Sequence, residues 1–249
     1  MKPQVPAQQA SFEERWRRRF ESFGRHGEDD ASIAGWSPTG LEARLRNFAC
    51  VWADDRPDAL WLDAGCGAGT YSRMMAGKGP RVVAMDYSAP SIVKARERSS
   101  APILWCIGDV TRLPVRSQSV DGAVCFGVLQ ALAESDAAVR ELGRAVKSGG
   151  EVWIDALNAW CLPSVGDRLA RRISGRPVHL RYESAVNLKR LMRGAGLAGV
   201  RLNWLPILPA RLQRWQRLLE TRPGRAMFRH VPLLGLLFSH AFVVIGRKP

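Results

Sequence analysis

Short apolar runs alternate with amphipathic segments over most of the 249-residue chain. The apolar runs have the length of β-strands and predict strands at 59–63, 81–86, 103–109, 122–126, 151–156, 199–205 and 242–246. Apolar residues at helical spacing predict helices between them at 70–76, 90–98, 134–146 and 184–195. Strands that alternate with helices indicate an α/β fold, a doubly wound, Rossmann-like and mostly parallel sheet with helices on both faces.

Two further helices are predicted before the first strand. Ser11 and Glu14 have the spacing of a capping box, which places the start of the first helix at Ser11. A loop rich in glycine and aspartate is expected at 24–35. Ser37 followed by Pro38 is typical of a helix start and predicts the second helix.

The spacing of these elements divides the chain into two parts. Residues 1–36 are expected to form a loose tail and a covering helix, and residues 37–249 the main domain. The connections at about 157–183 and 206–238 are too long for ordinary loops. We expect both to form helical additions over the active-site edge of the sheet, where the parallel strands end.

Composition narrows the class of protein and its location. Hydrophobic residues make up 46% of the chain and charged residues 24%, which is ordinary for a folded globular protein. The five cysteines are scattered without a C-x-x-C pair, so neither a metal site nor a redox pair is expected. No stretch is apolar enough to span a bilayer and no signal core is present, which predicts a cytoplasmic protein.

The net charge of +14 is concentrated in the C-terminal part of the chain. Residues 151–249 contain 17 basic and five acidic side chains, and most of the basic ones are arginine. This asymmetry fits a solvated surface as well as it fits an anionic partner. A basic segment with apolar residues at helical spacing runs from Leu208 to Leu219, and an apolar patch follows it. Such a segment can close an apolar pocket, which we favour, or make peripheral contact with an anionic membrane.

A glycine-rich turn after the first strand carries the most specific motif. The run from Asp63 to Thr70 reads DAGCGAGT, and Thr70 stands where a dinucleotide-binding turn would have its third glycine, which disfavours a nicotinamide dehydrogenase. Asp63 would repel a pyrophosphate but suits a ligand with a positive charge. Asp86 and Asp109 end the next two strands, at the same edge of the sheet, where carboxylates accept hydrogen bonds from ribose and base. Together they predict a site for a nucleoside with a cationic tail and no phosphates.

These motifs resemble those of the class I S-adenosylmethionine-dependent methyltransferases, of the small-molecule type that includes the quinone methyltransferases. DAGCGAG is similar to the family's acidic first motif, VVAMD ending at Asp86 to the second, and Gly108-Asp109-Val110 to the third. The clear resemblance covers about residues 58–156. It implies S-adenosylmethionine as cofactor and a seven-stranded sheet whose last strand is antiparallel.

The resemblance also implies a role for each matching residue. Asp63 and the glycines would line the methionine moiety, Asp86 would hold the ribose hydroxyls, and Tyr87 and Asp109 would contact the adenine. The cofactor-binding residues inferred in this way are Asp63, Gly65, Cys66, Gly67, Gly69, Asp86, Tyr87, Asp109, Val110, Phe126 and Gly127. Cys66 is interpreted as a small packing residue of the turn rather than as a catalyst.

The sequence does not identify a catalytic residue. Transfer of a sulfonium methyl is a single in-line displacement, which needs an oriented acceptor and a base only where the acceptor must first lose a proton. His26, Tyr182 and His240 are the candidates on the substrate side.

Three functions stay open, with one favoured. The favoured function is methyl transfer to a small or amphipathic acceptor, for example a lipid-linked or isoprenoid molecule with an anionic group. The alternatives are a non-catalytic S-adenosylmethionine-binding regulator or partner protein, and an RNA methyltransferase, although no RNA-binding module is recognisable.

Overall fold

A seven-stranded sheet forms the centre of the computed structural model, which describes residues 7–176, 180–208 and 210–249. Its strands lie in the order β3-β2-β1-β4-β5-β7-β6. Their bounds are β1 Leu60–Ala64, β2 Arg81–Asp86, β3 Ile103–Ile107, β4 Val120–Cys125, β5 Val146–Leu157, β6 Ala198–Leu205 and β7 Ala241–Arg247. Strands β1 to β5 pair in parallel, and β7 pairs antiparallel with both β5 and β6. The predicted fold and the antiparallel last strand are confirmed.

Helices cover both faces of this sheet. Their bounds are α1 Ala7–His26, α2 Asp30–Ala34, α3 Pro38–Val51, α4 Thr70–Ala76, α5 Ala89–Glu97, α6 Asp136–Ala145, α7 Leu162–Ile173, α8 Ala185–Gly194, α9 Gln216–Leu219, α10 Arg222–His230 and α11 Pro232–Phe238. Short 3₁₀ helices occupy Leu129–Ala131 and Ala210–Trp215. Two apolar clusters, one on each face, bury β1 and β4 from both sides. This double burial fixes the strand ends that carry the site.

The N-terminal helix begins earlier than predicted. Helix α1 starts at Ala7, so Ser11 lies inside it, and the predicted start at Ser11 is wrong. The run Ala7-Gln8-Gln9-Ala10 consists of good helix formers, which carry the helix past the capping signal. Residues 1–6 of the predicted tail lie outside the described residues.

The loop predicted at 24–35 is largely helical. Helix α1 continues to His26, and α2 occupies Asp30–Ala34. The Asp29 carboxylate accepts a hydrogen bond from the Ser32 amide at 2.7 Å, and the Ser32 hydroxyl accepts one from the Asp29 amide at 3.1 Å. This is a capping box with serine in the place of the usual Glu or Gln, which is why the pattern was missed.

Strand β5 is longer than predicted. It begins at Val146, ahead of the predicted start at 151, and runs through the Gly149-Gly150 pair. The pairing with β4 shifts register between Val120 and Gly122, and Gly149 has a φ of +81°. The glycines therefore permit an irregularity within the strand rather than a turn before it.

Both long connections contain helices, as predicted, but the two connections lie at different parts of the sheet. The first carries α7 at the carboxyl edge of the sheet, after β5. The second packs against α3 and the outer strand β6, where the Arg46 guanidinium donates to both carboxylate oxygens of Glu220 at 2.6 and 2.9 Å. No described residue of either addition lines the cleft at the active-site edge, so the expected cover by these additions is corrected. The Glu220 carboxylate of the second addition pairs with Arg46 of α3 instead.

Candidate active site

A cleft opens where β1, β2, β3 and β4 end. The turn after β1 forms its floor, the residues that end β2 and β3 form one side, and Phe126 and Gly127 after β4 form the other. Helix α1 lies over it as a roof, with Trp16 and Arg17 on the cleft wall. The sequence motifs thus meet around one space, as expected from the shared direction of the strands.

The floor of the cleft requires glycine at its first turn position. Gly65 has a φ of +82°, and a Cβ there would lie 2.1 Å from the Val128 side chain. The amides of Gly65 and Cys66 both donate to the carbonyl of Met85, at 2.7 and 2.9 Å, which holds the turn against β2. The backbone can therefore approach a ligand closely at this point.

Asp86 is fixed at the end of β2 by two backbone donors. Its carboxylate accepts from the Gly67 amide at 2.9 Å and from the Ser88 amide at 2.8 Å, and only 9% of the residue is exposed. Burial raises the pKa of this carboxyl, while the backbone donors oppose the rise. A rigid carboxylate on the cleft wall suits the pair of hydroxyls of a ribose.

Asp63 lies behind the floor rather than on the cleft wall. It is 1% exposed, and the Ser72 hydroxyl donates to its carboxylate at 2.5 Å. Burial raises the pKa of Asp63 to about 7; the bond from Ser72 lowers it, and the negative charge of Asp86 adds to the rise. A positive ligand in the cleft would favour the ionised form of this carboxyl.

Asp109 and Tyr87 form the side that the sequence assigned to the adenine. The Asp109 carboxylate accepts from the amide and the hydroxyl of Thr111, at 2.9 and 2.7 Å, which fixes its direction. Its second oxygen lies 3.4 Å from the Arg17 guanidinium, which also lies 5.3 Å from the centre of the Tyr87 ring. The Tyr87 hydroxyl donates to the carbonyl of Trp16 at 3.3 Å. Helix α1 therefore contacts both of these residues.

Most of the other residues inferred from the sequence also line the cleft. Cys66, Gly67, Val110, Phe126 and Gly127 do so, whereas Gly69 does not. Gly69 precedes α4 with a φ of +75° and contacts Trp105, so it shapes the turn. Burial raises the pKa of the Cys66 thiol, which keeps it protonated and agrees with a packing role.

None of the three substrate-side candidates lines the cleft. His26 is exposed at the end of α1, with Nδ1 at 2.9 Å from the carbonyl of Ser22. Tyr182 is half-buried, and the Arg168 guanidinium lies over it at 5.3 Å from the centre of the Tyr182 ring. His240 is partly buried before β7, and burial together with the charge of Arg44 lowers its pKa to about 4, which keeps it neutral.

The sequence did not reveal the apolar end of the cleft or the ion pair behind it. Trp16 of α1 lies on the cleft wall, although it is not among the site residues inferred from the sequence. Behind Gly127, the buried pair of Arg44 and Asp155 has an N–O distance of 3.4 Å, and the Gly127 amide donates to Asp155 at 2.6 Å. The Arg44 guanidinium lies over Trp36, with its carbon 4.4 Å from the centre of the indole ring. Asp155 ends an apolar run, which is the pattern that had singled out Asp63 and Asp86.

These features fit S-adenosylmethionine. Carboxylates at neighbouring strand ends suit the hydroxyls and amine of an adenosine. The glycine floor lets the ligand come close to the backbone, where a side chain would block it. Residues 62–154, from β1 to β5, match a family model described as a methyltransferase domain. Fold, site and match together define the class I S-adenosylmethionine-dependent methyltransferases. Residues 62–154 thus form a methyltransferase domain, which confirms the predicted family and, with it, the predicted cofactor.

Individual relatives agree with this assignment. A malonyl-[acyl-carrier protein] O-methyltransferase from Serratia marcescens is 35% identical over 113 residues, which cover 45% of this chain but only 43% of that protein. A ubiquinone biosynthesis O-methyltransferase from Idiomarina loihiensis is 27% identical, over 70% of this chain and 79% of that protein. The structure of magnesium protoporphyrin IX methyltransferase from Synechocystis PCC 6803 with bound SAH has a TM-score of 0.61 at 14% identity and covers 97% of each chain.

Proposed function

We propose that this chain transfers the methyl group of S-adenosylmethionine to a small or amphipathic acceptor with an apolar body. The observation that carries the proposal is the division of the cleft into a polar and an apolar half. Asp86 and Asp109 lie on the polar half, which suits the nucleoside. The apolar half is formed by Ile33, Trp36, Leu41 and Phe126, and the roof adds Trp16 and Phe20 beside Tyr87.

The apolar half favours an acceptor with apolar or aromatic surface. Trp36 and Phe126 stand next to Gly127, at the side of the cleft opposite Asp109. Aromatic walls contribute much of the binding energy of apolar ligands, and Trp16 from α1 extends them into the roof. An acceptor held there would have its reactive atom between the aromatic wall and the glycine floor.

The residues of this chain act mainly by binding and orientation. When bound, the cofactor supplies a methyl group on a positively charged sulfur, which is already an electrophile. Asp86 and Asp109 hold the nucleoside, and the roof formed by α1 excludes water, so that the acceptor atom can be held in line with the methyl. Tyr71 also lines the cleft, but burial raises the pKa of its hydroxyl well above the usual value, so it stays protonated.

The relatives indicate which acceptors to test first. Their names describe O-methylation of a malonyl group on acyl-carrier protein and of a ubiquinone precursor. Both suggest an acidic oxygen on a molecule with an apolar part, which agrees with the cleft. We propose that the protein works in the cytoplasm on an acceptor of this kind.

The decisive experiment uses cofactor with a labelled methyl group and fractionated cell extract. We expect label in lipids or in small organic acids and quinone precursors. Label in RNA would instead support the RNA methyltransferase. Calorimetric binding of the cofactor without transfer to any fraction would support the non-catalytic alternative.

Asp86→Ala is expected to abolish calorimetric binding of S-adenosylmethionine. The variant removes the carboxylate that faces the cleft and that accepts from Gly67 and Ser88. Asp109→Ala should weaken binding less, since Asp109 is half-exposed and would lose a single contact to the base. Cooperative thermal unfolding checks that both variants fold. Unchanged affinity in Asp86→Ala would contradict the ribose assignment.

A further inference from the structure

We propose that α7 is the surface by which this protein docks on an anionic lipid bilayer. The helix is amphipathic, yet it turns its apolar face away from the protein. Leu162, Val165, Leu169 and Ile173 are 50%, 37%, 57% and 78% exposed. Their spacing of three and four residues places them on one stripe.

The opposite face of α7, which meets the protein, is polar. Ser164 is the buried residue of the helix, and Asp167 and Arg171 are partly buried and bonded to each other at 3.0 Å. A surface helix of a folded domain ordinarily shows the reverse arrangement, with its apolar stripe on the core. The exposed stripe therefore indicates a face that a partner covers when the protein is at work.

The charges around this face select an anionic partner. Arg172 and Arg176 are exposed beside the stripe, and Arg168 stacks on the ring of Tyr182. Residues 151–249 contain 17 basic and five acidic side chains. A second copy of the chain would bring the same positive charge to the contact, which disfavours self-association through this face.

An anionic bilayer matches both the shape and the chemistry of the surface. Basic amphipathic helices lie in the headgroup region with their apolar residues among the acyl chains and their arginines at the phosphates. Trp160, 57% exposed just before α7, is a residue type that favours this depth. Among the described residues, no helix has both the length and the apolar character to cross a membrane. The contact proposed here is therefore peripheral.

The docking face is linked to the cleft by the chain that follows it. The Arg181 amide donates to the carbonyl of Gln130 at 3.0 Å, and its guanidinium donates to the carbonyl of Ala133 at 2.7 Å. Ala131 and Leu132, between these two carbonyls, line the cleft. Docking through α7 would hold the cleft near the lipid surface, where an amphipathic acceptor resides. This last step rests on the proposed function, whereas binding to the bilayer does not.

Co-sedimentation with vesicles tests the surface directly. The full-length protein is mixed with vesicles of phosphatidylcholine alone, or with about 30% phosphatidylglycerol, at low salt and at about 0.5 M salt. We expect binding to the anionic vesicles at low salt, with a weaker but measurable remainder at high salt. Leu169→Glu/Ile173→Glu should lower the partition coefficient at least about tenfold. Arg172→Ala/Arg176→Ala should reduce the preference for anionic over neutral vesicles.

Val186→Glu is the matched control, because Val186 is 80% exposed on α8, outside the proposed surface, and its replacement should leave binding unchanged. The proposal is overturned if the wild-type protein stays in the supernatant, if Leu169→Glu/Ile173→Glu binds as the wild type does, or if the stripe proves to be a dimer contact. The two proposals fail separately. Asp86→Ala should still bind vesicles without binding cofactor, and Leu169→Glu/Ile173→Glu should still bind cofactor.

Discussion

Three aspartates at neighbouring strand ends have three different environments. Asp63 is buried behind the floor of the cleft, Asp86 is buried on its wall between two backbone donors, and Asp109 is half-exposed beside Arg17. The sequence placed all three at one edge of the sheet, because the direction of parallel strands follows from the alternation of strands and helices. It did not reveal that Asp63 turns from the cleft toward Ser72, since that depends on the packing of α4.

The burial of Asp63 gives the stability of the protein a defined pH dependence. Its pKa is about 7 in the folded state and 3.8 in the unfolded reference, so the folded state binds the proton more tightly. The stability that results is fully present below about pH 4 and is lost as the pH rises to about 7, by up to about 4 kcal/mol. Asp63→Asn should remove this contribution, because asparagine stays neutral at both ends of the range.

Urea denaturation at about pH 5 and about pH 8 measures the effect as the difference between wild type and Asp63→Asn. Burial also raises the pKa of Asp86 and Asp155, so the wild-type slope alone contains several groups. The difference between the two proteins isolates Asp63. Parallel profiles for the two proteins would contradict the raised pKa.

At the scale of elements, the two N-terminal helices form a cover that is tied to the site by polar contacts. Asp30 in α2 accepts from the Thr70 hydroxyl at 2.6 Å and pairs with Arg73 in α4 and with Arg98. Glu13 in α1 accepts from the Ala133 amide at 2.9 Å. The sequence predicted a covering helix but not these anchors, because they join residues that lie far apart in the chain.

Trp16→Ala should weaken the binding of S-adenosylmethionine about tenfold, mainly through faster dissociation. Trp16 is 8% exposed, and the loss of its indole opens the roof of the cleft to water. Stopped-flow kinetics with a fluorescent cofactor analogue would measure the dissociation rate. Arg18→Ala is the control on the same helix, because Arg18 is exposed and pairs only with Glu14 among the described ion pairs. Equal dissociation rates in both variants would contradict the role of α1 as a roof.

At the scale of the whole molecule, a buried ion pair joins α3 to the end of β5 behind the cleft. Arg44 and Asp155 are 111 residues apart in sequence and 7% and 4% exposed. Burial raises the pKa of Asp155, and the charge of Arg44 opposes the rise. The pair and its bond to the Gly127 amide hold one wall of the cleft.

Arg44→Ala should destabilise the fold by about 3 to 5 kcal/mol, because it leaves a buried carboxylate without its counter-charge. Arg140→Ala, which breaks an exposed pair with Asp136 on α6, should cost less than about 1 kcal/mol. Urea denaturation of the two variants gives the comparison. A similar small loss for both would show that the Arg44–Asp155 pair does not stabilise the fold.

The sequence by itself determined the features that depend on local periodicity and backbone conformation. These are the alternating strands and helices, the glycine turn after β1 and the acids that end β1, β2 and β3. The tertiary structure decided what depends on contacts between distant residues: the position of α1 over the cleft, the direction of Asp63, the course of β5 and the second addition beside α3. It also decided which face of α7 meets solvent. An amphipathic pattern shows that a helix has an apolar stripe, but only the packing around the helix determines what the stripe faces.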